Sequence, residues 1–501
     1  MRKVINEICK IVKKHDNISV FVYFFMILSV YIYAVYIGNG DELWNFSFIH
    51  KMADGYTIYK ELNVIITPLF HYIGKFLFII LGNNYLTFRI YNILIFSTFY
   101  TLIYNIFKRL QIKKTPALLL TFFMVLLTRG CISCGANYNI LAMIFVLSGI
   151  YIEISNKENI KRNIAQGLIL FFIFMSKQNI FIFYSISLFL LYIIKMKINK
   201  QNIKHMIKKL LIIGITFCLA FGVYICYLKI TNTLFDFISY CFLGINEFAS
   251  YNIKIGFEIA AYCIISIAEI IISIILIKLK INKKELKYVQ DINLKMLPFE
   301  VMMLFVIYPI ANEYHMILGS IISIIMILFN LYSIVINEIF NTKKTLKIMK
   351  ILVFIFNIIF IIYNIFYLVK YINYRNNYNN NIYPYDNLVV VDKLKEKIDK
   401  ICNYVEENEK NGIDVKIISH EATLYMNVLN KNNKNMDLPF VGNLGKAGED
   451  GLISQVEDLK EGTKILISKE KFWQESDKLR NFIMSNYNKI DEIEDFYIYQ
   501  K

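Results

Sequence analysis

The sequence predicts a polytopic α-helical membrane protein of about eleven transmembrane helices, followed by a small α/β domain. Three observations lead to this fold class. Hydrophobic residues make up 56% of the 501-residue chain, and its mean hydropathy is +0.47. Apolar stretches recur that are long enough to cross a bilayer, which takes roughly 20 residues. From residue 372 onward these stretches end and charged residues become frequent.

The charge balance excludes one class of partner. The formal net charge is +16, from 55 Lys and Arg against 39 Asp and Glu. In a soluble protein this excess would suggest nucleic acid. Here the basic residues gather in short loops between apolar stretches, as expected for the cytoplasmic loops of a membrane protein. We therefore exclude nucleic acid and expect a multi-pass plasma-membrane protein in contact with membrane lipids.

Basic clusters set the predicted topology. The basic segment 1–15 places the N-terminus in the cytoplasm, and the absence of a small-residue cleavage site after the next apolar stretch indicates an uncleaved helix. Alternation of basic and neutral loops then places the C-terminus outside the cell. The predicted crossings are 18–37, 86–107, 115–130, 138–154, 162–176, 179–195, 210–228, 257–277, 297–309, 316–336 and 348–371.

One apolar stretch is not predicted to cross. The cluster from Lys108 to Lys114 belongs inside, so only one of the stretches 64–81 and 86–107 can span the bilayer. Stretch 64–81 contains Pro68, His71, Gly74 and Lys75. We therefore expect it to lie as an amphipathic segment on the outer surface of the membrane.

The chain divides into three predicted parts: a transmembrane domain over 1–371 with its first outer loop at 38–85, a linker rich in Asn and Tyr over 372–387, and an extracytoplasmic α/β domain over 388–501. Within the last part we predict helices at 388–408 and 477–487, and strands at 415–419, 464–468 and 496–499. The glycine-rich run 442–451 favours an ordinary surface turn, with a lid over an acceptor groove as the alternative.

The candidate functional residues all fall at predicted outer ends of helices. Asp41 and Glu42 follow the first crossing, Arg129 ends another, and further polar groups fill two outer turns, Lys177-Gln178-Asn179 and Asn312-Glu313-Tyr314-His315. Charge therefore gathers at helix ends. Basic residues on the outer side oppose the usual trend, so Arg129 and Lys177 indicate a bound anion. A carboxylate beside fixed cations suits transfer from a phosphate-linked donor.

Each of these residues also has a structural interpretation. Asp41 and Glu42 suit a solvated cap on a membrane helix. Lys177 suits a lysine that extends its side chain toward the interface, Arg129 an anchor to lipid headgroups, and His315 an interfacial histidine. Cys131 and Cys134 form a C-x-x-C without a second pair at zinc-site spacing, so no metal is indicated, although a divalent ion stays open.

The predicted first outer loop and the start of the next helix contain a series of motifs in a fixed order: Asp41-Glu42, Gly55-Tyr56-Thr57-Ile58-Tyr59, Thr67-Pro68-Leu69, Gly82 and Arg89. Their order and spacing resemble the first outer loop of GT-C membrane glycosyltransferases, closest to the bacterial protein-mannosyltransferase-like and aminoarabinose-transferase-like branch (glycosyltransferase family 39 and relatives). The resemblance covers residues 18–110 best.

This resemblance implies a GT-C-like catalytic domain that transfers a sugar, with inversion, from a polyprenyl-phosphate donor to a hydroxyl of an envelope glycan, lipid or protein outside the cytoplasm. It implies roles for eight residues. Asp41 becomes the catalytic base with Glu42 as its neighbour, Lys177 and Arg129 become ligands of the donor phosphate, and the residues implied to line the substrate site are Tyr59, Gln178, Glu313 and His315.

Two other functions stay open. An O-antigen-type polymerase or ligase also uses outer loops, although its large catalytic loop usually comes late in the chain. A transporter or flippase of lipid-linked sugars predicts charged groups near mid-helix and paired broken helices, which the gathering of charge at helix ends disfavours.

Overall fold

The computed structural model describes residues 16–30, 40–133, 135–155, 159–198, 200, 202–244, 256–279, 284–308, 311–336, 343–377, 382–385 and 392–501. These residues are mostly helical, with one small sheet near the C-terminus. The predicted basic N-terminus, Cys134, and residues 31–37 of the first predicted crossing lie outside the described residues.

Within the first 380 residues the described α-helices are Asp16–Leu28, Gly40–Ala53, Leu69–Leu81, Tyr85–Arg109, Lys114–Leu127, Arg129–Ser133, Tyr138–Ile154, Ile160–Ser176, Gln178–Ile198, Ile203–Ile230, Leu234–Ile238, Phe257–Lys278, Lys284–Met303, Glu313–Leu331 and Lys343–Asn377. Six of them contain segments long and apolar enough to cross a membrane: Tyr85–Arg109, Gln178–Ile198, Ile203–Ile230, Phe257–Lys278, Glu313–Ile334 and Lys350–Asn373. This supports a membrane protein.

The region between the predicted crossings at 257–277 and 297–309 differs from expectation. We predicted a basic loop there, but helix Lys284–Met303 begins well before the predicted crossing. Its buried residues Val289, Ile292, Asn293 and Met296 follow one another at intervals of three, one and three. That spacing is one helical face, which packs on neighbouring helices, while Lys287 on another face is exposed.

The chain forms two compact units. The described residues of 1–31, 92–223 and 252–367 form the first, named here the helical unit. The described residues of 32–91, 224–251 and 368–501 form the second, named here the composite unit because it combines the predicted first outer loop with the C-terminal domain.

The C-terminal domain confirms the expected small sheet. Its helices are Asp392–Lys410, Ala422–Val428, Gly448–Glu457 and Asp477–Asn486, and its strands are β1 Val415–Ile418, β2 Lys464–Ser468, β3 Asn488–Ile493 and β4 Phe496–Gln500. The sheet order is β1-β2-β4-β3, with β1 and β2 parallel and the other pairs antiparallel. The glycine-rich run was predicted as an ordinary surface turn region, and from Gly448 onward it is instead part of helix Gly448–Glu457.

Helix Leu69–Leu81 lies where the surface segment was predicted. At 13 residues it is about 20 Å long, too short for the roughly 30 Å of a bilayer core. It packs on helix Gly40–Ala53, and the approach is close because a Cβ added at Gly74 would lie 2.4 Å from Ile49 Cδ1. Its other face exposes apolar side chains, namely Phe76, Ile79, Ile80 and Leu81.

Buried polar contacts join helix Gly40–Ala53 to the C-terminal domain within the composite unit. Lys51 Nζ lies 2.9 Å from Asp437 Oδ2, and both side chains are about 5% exposed or less. Ser47 Oγ donates a hydrogen bond of 2.8 Å to Asn427 Oδ1. Because an unpaired buried charge is costly, these contacts fix the position of the helix against the domain.

Loss of Lys51 should destabilise the composite unit. Lys51→Met leaves Asp437 buried without its cation, which costs about 3–5 kcal/mol for a buried pair. Thermal unfolding in detergent should show a lower midpoint, and Lys51→Met with Asp437→Leu should recover part of the loss. Lys410→Met, which removes an exposed lysine, is the control. An unchanged midpoint in Lys51→Met would contradict this role.

Candidate functional site

Asp41 and Glu42 occupy the first turn of helix Gly40–Ala53. Both residues therefore lie within a helix, whereas the alternative structural interpretation placed them in a solvated cap. Carboxylates are stabilised at this position because the N-terminal end of a helix carries a partial positive charge. The two side chains differ in environment, since Asp41 is exposed and Glu42 is only 3% exposed.

Glu42 forms a buried ion pair with Arg89. Glu42 Oε1 lies 2.7 Å from Arg89 Nε, and both side chains are 2% exposed. The Arg89 guanidinium also lies over the Tyr85 ring, 5.2 Å from its centroid. The pair joins the start of helix Gly40–Ala53 to the start of helix Tyr85–Arg109, so the backbone that carries Asp41 is held in place.

Side-chain amides support the same turn. Asn45 Nδ2 donates a hydrogen bond of 2.7 Å to the Asp41 carbonyl oxygen. Asn45 Oδ1 in turn lies 3.2 Å from His71 Nε2 on the neighbouring helix. Asp41 therefore presents an exposed carboxylate from a fixed backbone, which is the arrangement that a general base needs.

Tyr59 does not line an accessible site. It is fully buried, and its hydroxyl donates a hydrogen bond of 2.9 Å to the Ile66 carbonyl oxygen. Its backbone φ of 66° is the left-handed conformation, and Lys434 Nζ donates to the Tyr59 carbonyl oxygen at 2.6 Å. Tyr59 therefore stabilises its loop, and its hydroxyl is already used, which argues against the implied role in substrate binding.

The other five predicted site residues belong to the helical unit, where hydrogen bonds connect the turns that carry them. The Tyr314 hydroxyl donates to Asn137 Oδ1 at 2.7 Å. Asn179, next to Gln178, donates through Nδ2 to the Tyr308 carbonyl oxygen at 2.8 Å. The polar turns that the sequence singled out therefore lie together at one part of this unit.

Lys177 and His315 lie within electrostatic range of each other. Lys177 Nζ is 4.6 Å from the centroid of the Tyr138 ring. The His315 ring stays near its helix start because Nδ1 lies 2.8 Å from Asn312 Oδ1. Lys177 thus brings a positive charge to a surface made of aromatic and amide groups, which suits binding of an anion.

Arg129 has a different electrostatic environment. The Arg129 side chain is exposed and interacts with the Glu313 carboxylate. Glu313 also forms a side-chain hydrogen bond with Glu258. Because these acidic groups offset the charge of the guanidinium, Arg129 is a weaker candidate for a phosphate ligand than Lys177.

The described residues contain no group of three or more His, Cys, Asp or Glu side chains that would hold a metal ion. Glu258 and Glu313 alone supply too few ligands for the six to eight oxygens of a typical calcium site.

Sequence reasoning gave no role to Arg89 or Glu258. Arg89 was visible as part of the resemblance, but nothing in the sequence paired it with Glu42. Glu258 stands at the predicted outer end of helix Phe257–Lys278, so the rule that selected Glu313 applies to it equally. The sequence predicts that the residues of both units serve one site, and that stays a prediction.

Comparison with known proteins finds no family model, no curated protein and no solved structure that matches this chain.

His50 lies at the other end of helix Gly40–Ala53 and makes the stability of the composite unit depend on pH. Its Nδ1 lies 2.7 Å from Asn83 Oδ1, and its Nε2 lies 3.5 Å from Asp54 Oδ2. Burial lowers the pKa of His50 below 6.5, in spite of these partners. The folded protein therefore binds this proton less readily than the unfolded chain does.

Stability should consequently fall as the pH drops below about 6.5, by at most about 1.4 kcal/mol per pH unit for this one group. Thermal unfolding between neutral and mildly acidic pH measures the loss. His50→Gln should show a weaker pH dependence, while His205→Gln, which changes an exposed histidine, should follow the wild type. Equal pH dependence in His50→Gln and wild type would exclude His50 as the cause.

Proposed function

We propose that this protein is an integral-membrane glycosyltransferase similar to the GT-C class, with Asp41 as its catalytic base. One observation carries the proposal: an exposed carboxylate stands in the first turn of a helix whose start is fixed by the buried Glu42–Arg89 pair. A carboxylate held in this way can accept a proton without first being ordered.

The proposed reaction uses a polyprenyl-phosphate sugar as donor. Asp41 accepts the proton of an acceptor hydroxyl, and the hydroxyl oxygen forms a bond to the anomeric carbon of the sugar. The bond between that carbon and the phosphate oxygen breaks, and its electron pair leaves with the polyprenyl phosphate. Attack from the face opposite the phosphate inverts the anomeric configuration. Glu42 positions Asp41, and Lys177 stabilises the negative charge of the departing phosphate.

The proposal includes the finer topology: about eleven crossings, a cytoplasmic N-terminus and the composite unit outside the cell. Supporting it, the shorter apolar helices Asp16–Leu28, Lys114–Leu127 and Tyr138–Ile154 coincide with predicted crossings. The acceptor is then a hydroxyl of an envelope glycan, lipid or protein.

A transporter of lipid-linked sugars is the second candidate, because Glu269 and Glu300 are fully buried within helices of the helical unit. The expectation that charge gathers at helix ends was therefore wrong for Glu269, which lies in the middle of helix Phe257–Lys278. Transporters place such groups along their substrate or ion pathways. Transfer of labelled sugar to an acceptor separates the two functions, since a transporter leaves the sugar on its carrier.

Asp41→Asn should abolish transfer. Membranes that contain the protein are incubated with a panel of radiolabelled polyprenyl-phosphate hexoses and pentoses, and label in the envelope fraction is measured. Loss of a general base should lower the rate by about 10²–10⁴-fold. Asp54→Asn, which neutralises another exposed carboxylate of the same unit, should retain activity. Wild-type rates in Asp41→Asn, with normal membrane insertion, would refute the mechanism.

Lys177→Met should weaken the binding of the donor. Loss of a hydrogen bond to a charged group costs about 1.5–3 kcal/mol, which corresponds to about 10–100-fold in the KM for the donor. Arg129→Met should have a smaller effect because Glu313 offsets its charge. Lys278→Met removes an exposed lysine of the same unit and is the control. If Arg129→Met raises the KM for the donor more than Lys177→Met does, Lys177 is not the main ligand of the donor phosphate.

A further inference from the structure

Seven polar side chains line the packed faces of three helices in the helical unit. Each is no more than 3% exposed. Their spacings of three, four or seven residues place those of each helix on one face. They are Ser266, Glu269 and Ser273 on helix Phe257–Lys278, Asn293 and Glu300 on helix Lys284–Met303, and Ser323 and Asn330 on helix Glu313–Leu331.

Five of these residues form a connected group, named here the polar cluster: Glu269, Ser273, Asn293, Glu300 and Asn330. Ser273 Oγ lies 2.7 Å from Asn293 Oδ1 and 3.3 Å from Glu269 Oε1. It also lies 3.4 and 3.5 Å from the two oxygens of Glu300. Asn330 Nδ2 donates to Glu269 Oε1 at 2.6 Å. Oxygens from two helices therefore surround the Ser273 hydroxyl, and Asn330 connects the third helix to the group through Glu269.

The polar cluster has more acceptors than donors. The amide of Asn330 uses its two protons on Glu269 Oε1 and Asn293 Oδ1. The amide of Asn293 uses its two on Asn330 Oδ1 and a backbone carbonyl. Ser273 has one proton for the four oxygens around it. The two carboxyl groups therefore contain oxygens for which these residues supply no hydrogen.

Buried polar atoms that lack hydrogen-bond partners indicate independently that donors are too few here. Glu269 Oε2 is buried and has no hydrogen-bond partner among the described residues. The hydroxyls of Ser266 and Ser323, on the same two helices as Glu269 and Asn330, are likewise buried without partners. Such atoms cost free energy unless a proton, ion or water occupies the site.

The negative charge of the two carboxylates adds to the shortage of hydrogen-bond donors in the polar cluster. Within the described part of the chain neither Glu269 nor Glu300 forms a salt bridge with a lysine, arginine or histidine. The charged group that interacts with Glu300 is Glu269 itself. Two ionised carboxylates cannot share an apolar interior without compensation, because each unpaired charge there costs several kcal/mol or more.

We propose that the polar cluster is an intramembrane cation site that takes up one small monovalent cation, a proton or Na⁺. The two carboxylates, the Ser273 hydroxyl and the two amide oxygens provide oxygen ligands, which hard cations prefer. A bound proton supplies the missing hydrogen, and a bound Na⁺ supplies the missing charge. This proposal is independent of the proposed glycosyltransferase function, since none of the cluster's residues takes part in the proposed reaction.

Thermal unfolding of the full-length protein in detergent tests the proposal. Wild type is compared with the Glu269→Gln/Glu300→Gln double variant, which needs no compensating cation, in choline chloride and in NaCl at equal ionic strength. In choline chloride the wild-type midpoint should fall relative to the variant as the pH rises, because the folded protein must retain its proton. If the wild-type midpoint recovers in NaCl, the bound cation is Na⁺. If the midpoint does not recover, the bound cation is a proton.

A midpoint difference that changes neither with pH nor with Na⁺ would overturn the proposal. Glu396→Gln, which changes an exposed glutamate, should behave as wild type. If the double variant does not fold, wild-type protein is treated with an apolar carbodiimide, which modifies protonated carboxyls, and the labelled peptides are identified by mass spectrometry. Labelling of Glu269 or Glu300 should fall about tenfold per pH unit once the proton is lost, or be blocked by Na⁺. If labelling of these two residues changes neither with pH nor with Na⁺, or if neither residue is labelled under any condition, the proposal is wrong.

Discussion

The composite unit depends on the pairing of Glu42 with Arg89. Glu42 is deeply buried, and the Arg89 guanidinium 2.7 Å away compensates the charge of its carboxylate. The pair ties two helix starts together and leaves the neighbouring Asp41 exposed on a fixed backbone. The adjacent carboxylates therefore differ in environment, since Glu42 is buried in an ion pair and Asp41 is exposed.

Other buried charges of the described residues also require compensation. In the composite unit Lys51 and Asp437 satisfy each other and join helix Gly40–Ala53 to the C-terminal domain. In the helical unit Glu153 lies 2.5 Å from both Arg162 and Lys195. Glu269 and Glu300 differ from these paired residues, because no lysine, arginine or histidine among the described residues neutralises them. That contrast led us to infer a cation site there.

The sequence predicted most helices and the strands at 415–419 and 464–468, because apolar periodicity is a local property. It missed strand Asn488–Ile493, whose exposed, largely polar residues show no apolar alternation. It also selected Asp41 and Glu42 as a pair without distinguishing them. Burial of Glu42 depends on Arg89, which is distant in the chain, and such contacts have no local signature. Tyr59 was chosen from its place in a motif, and its burial depends on packing that the motif does not encode.

The central claim is that Asp41 belongs to a folded unit on the outer side of the membrane. Labelling of intact cells with a membrane-impermeant maleimide tests this directly, in a protein whose native cysteines are replaced. Single cysteines are introduced as Asp41→Cys, Glu396→Cys and Lys278→Cys, all at exposed positions. The first two should react in intact cells, and the third only after permeabilisation, as the predicted topology requires. Protection of the first two in intact cells, with reaction after permeabilisation, would contradict the account.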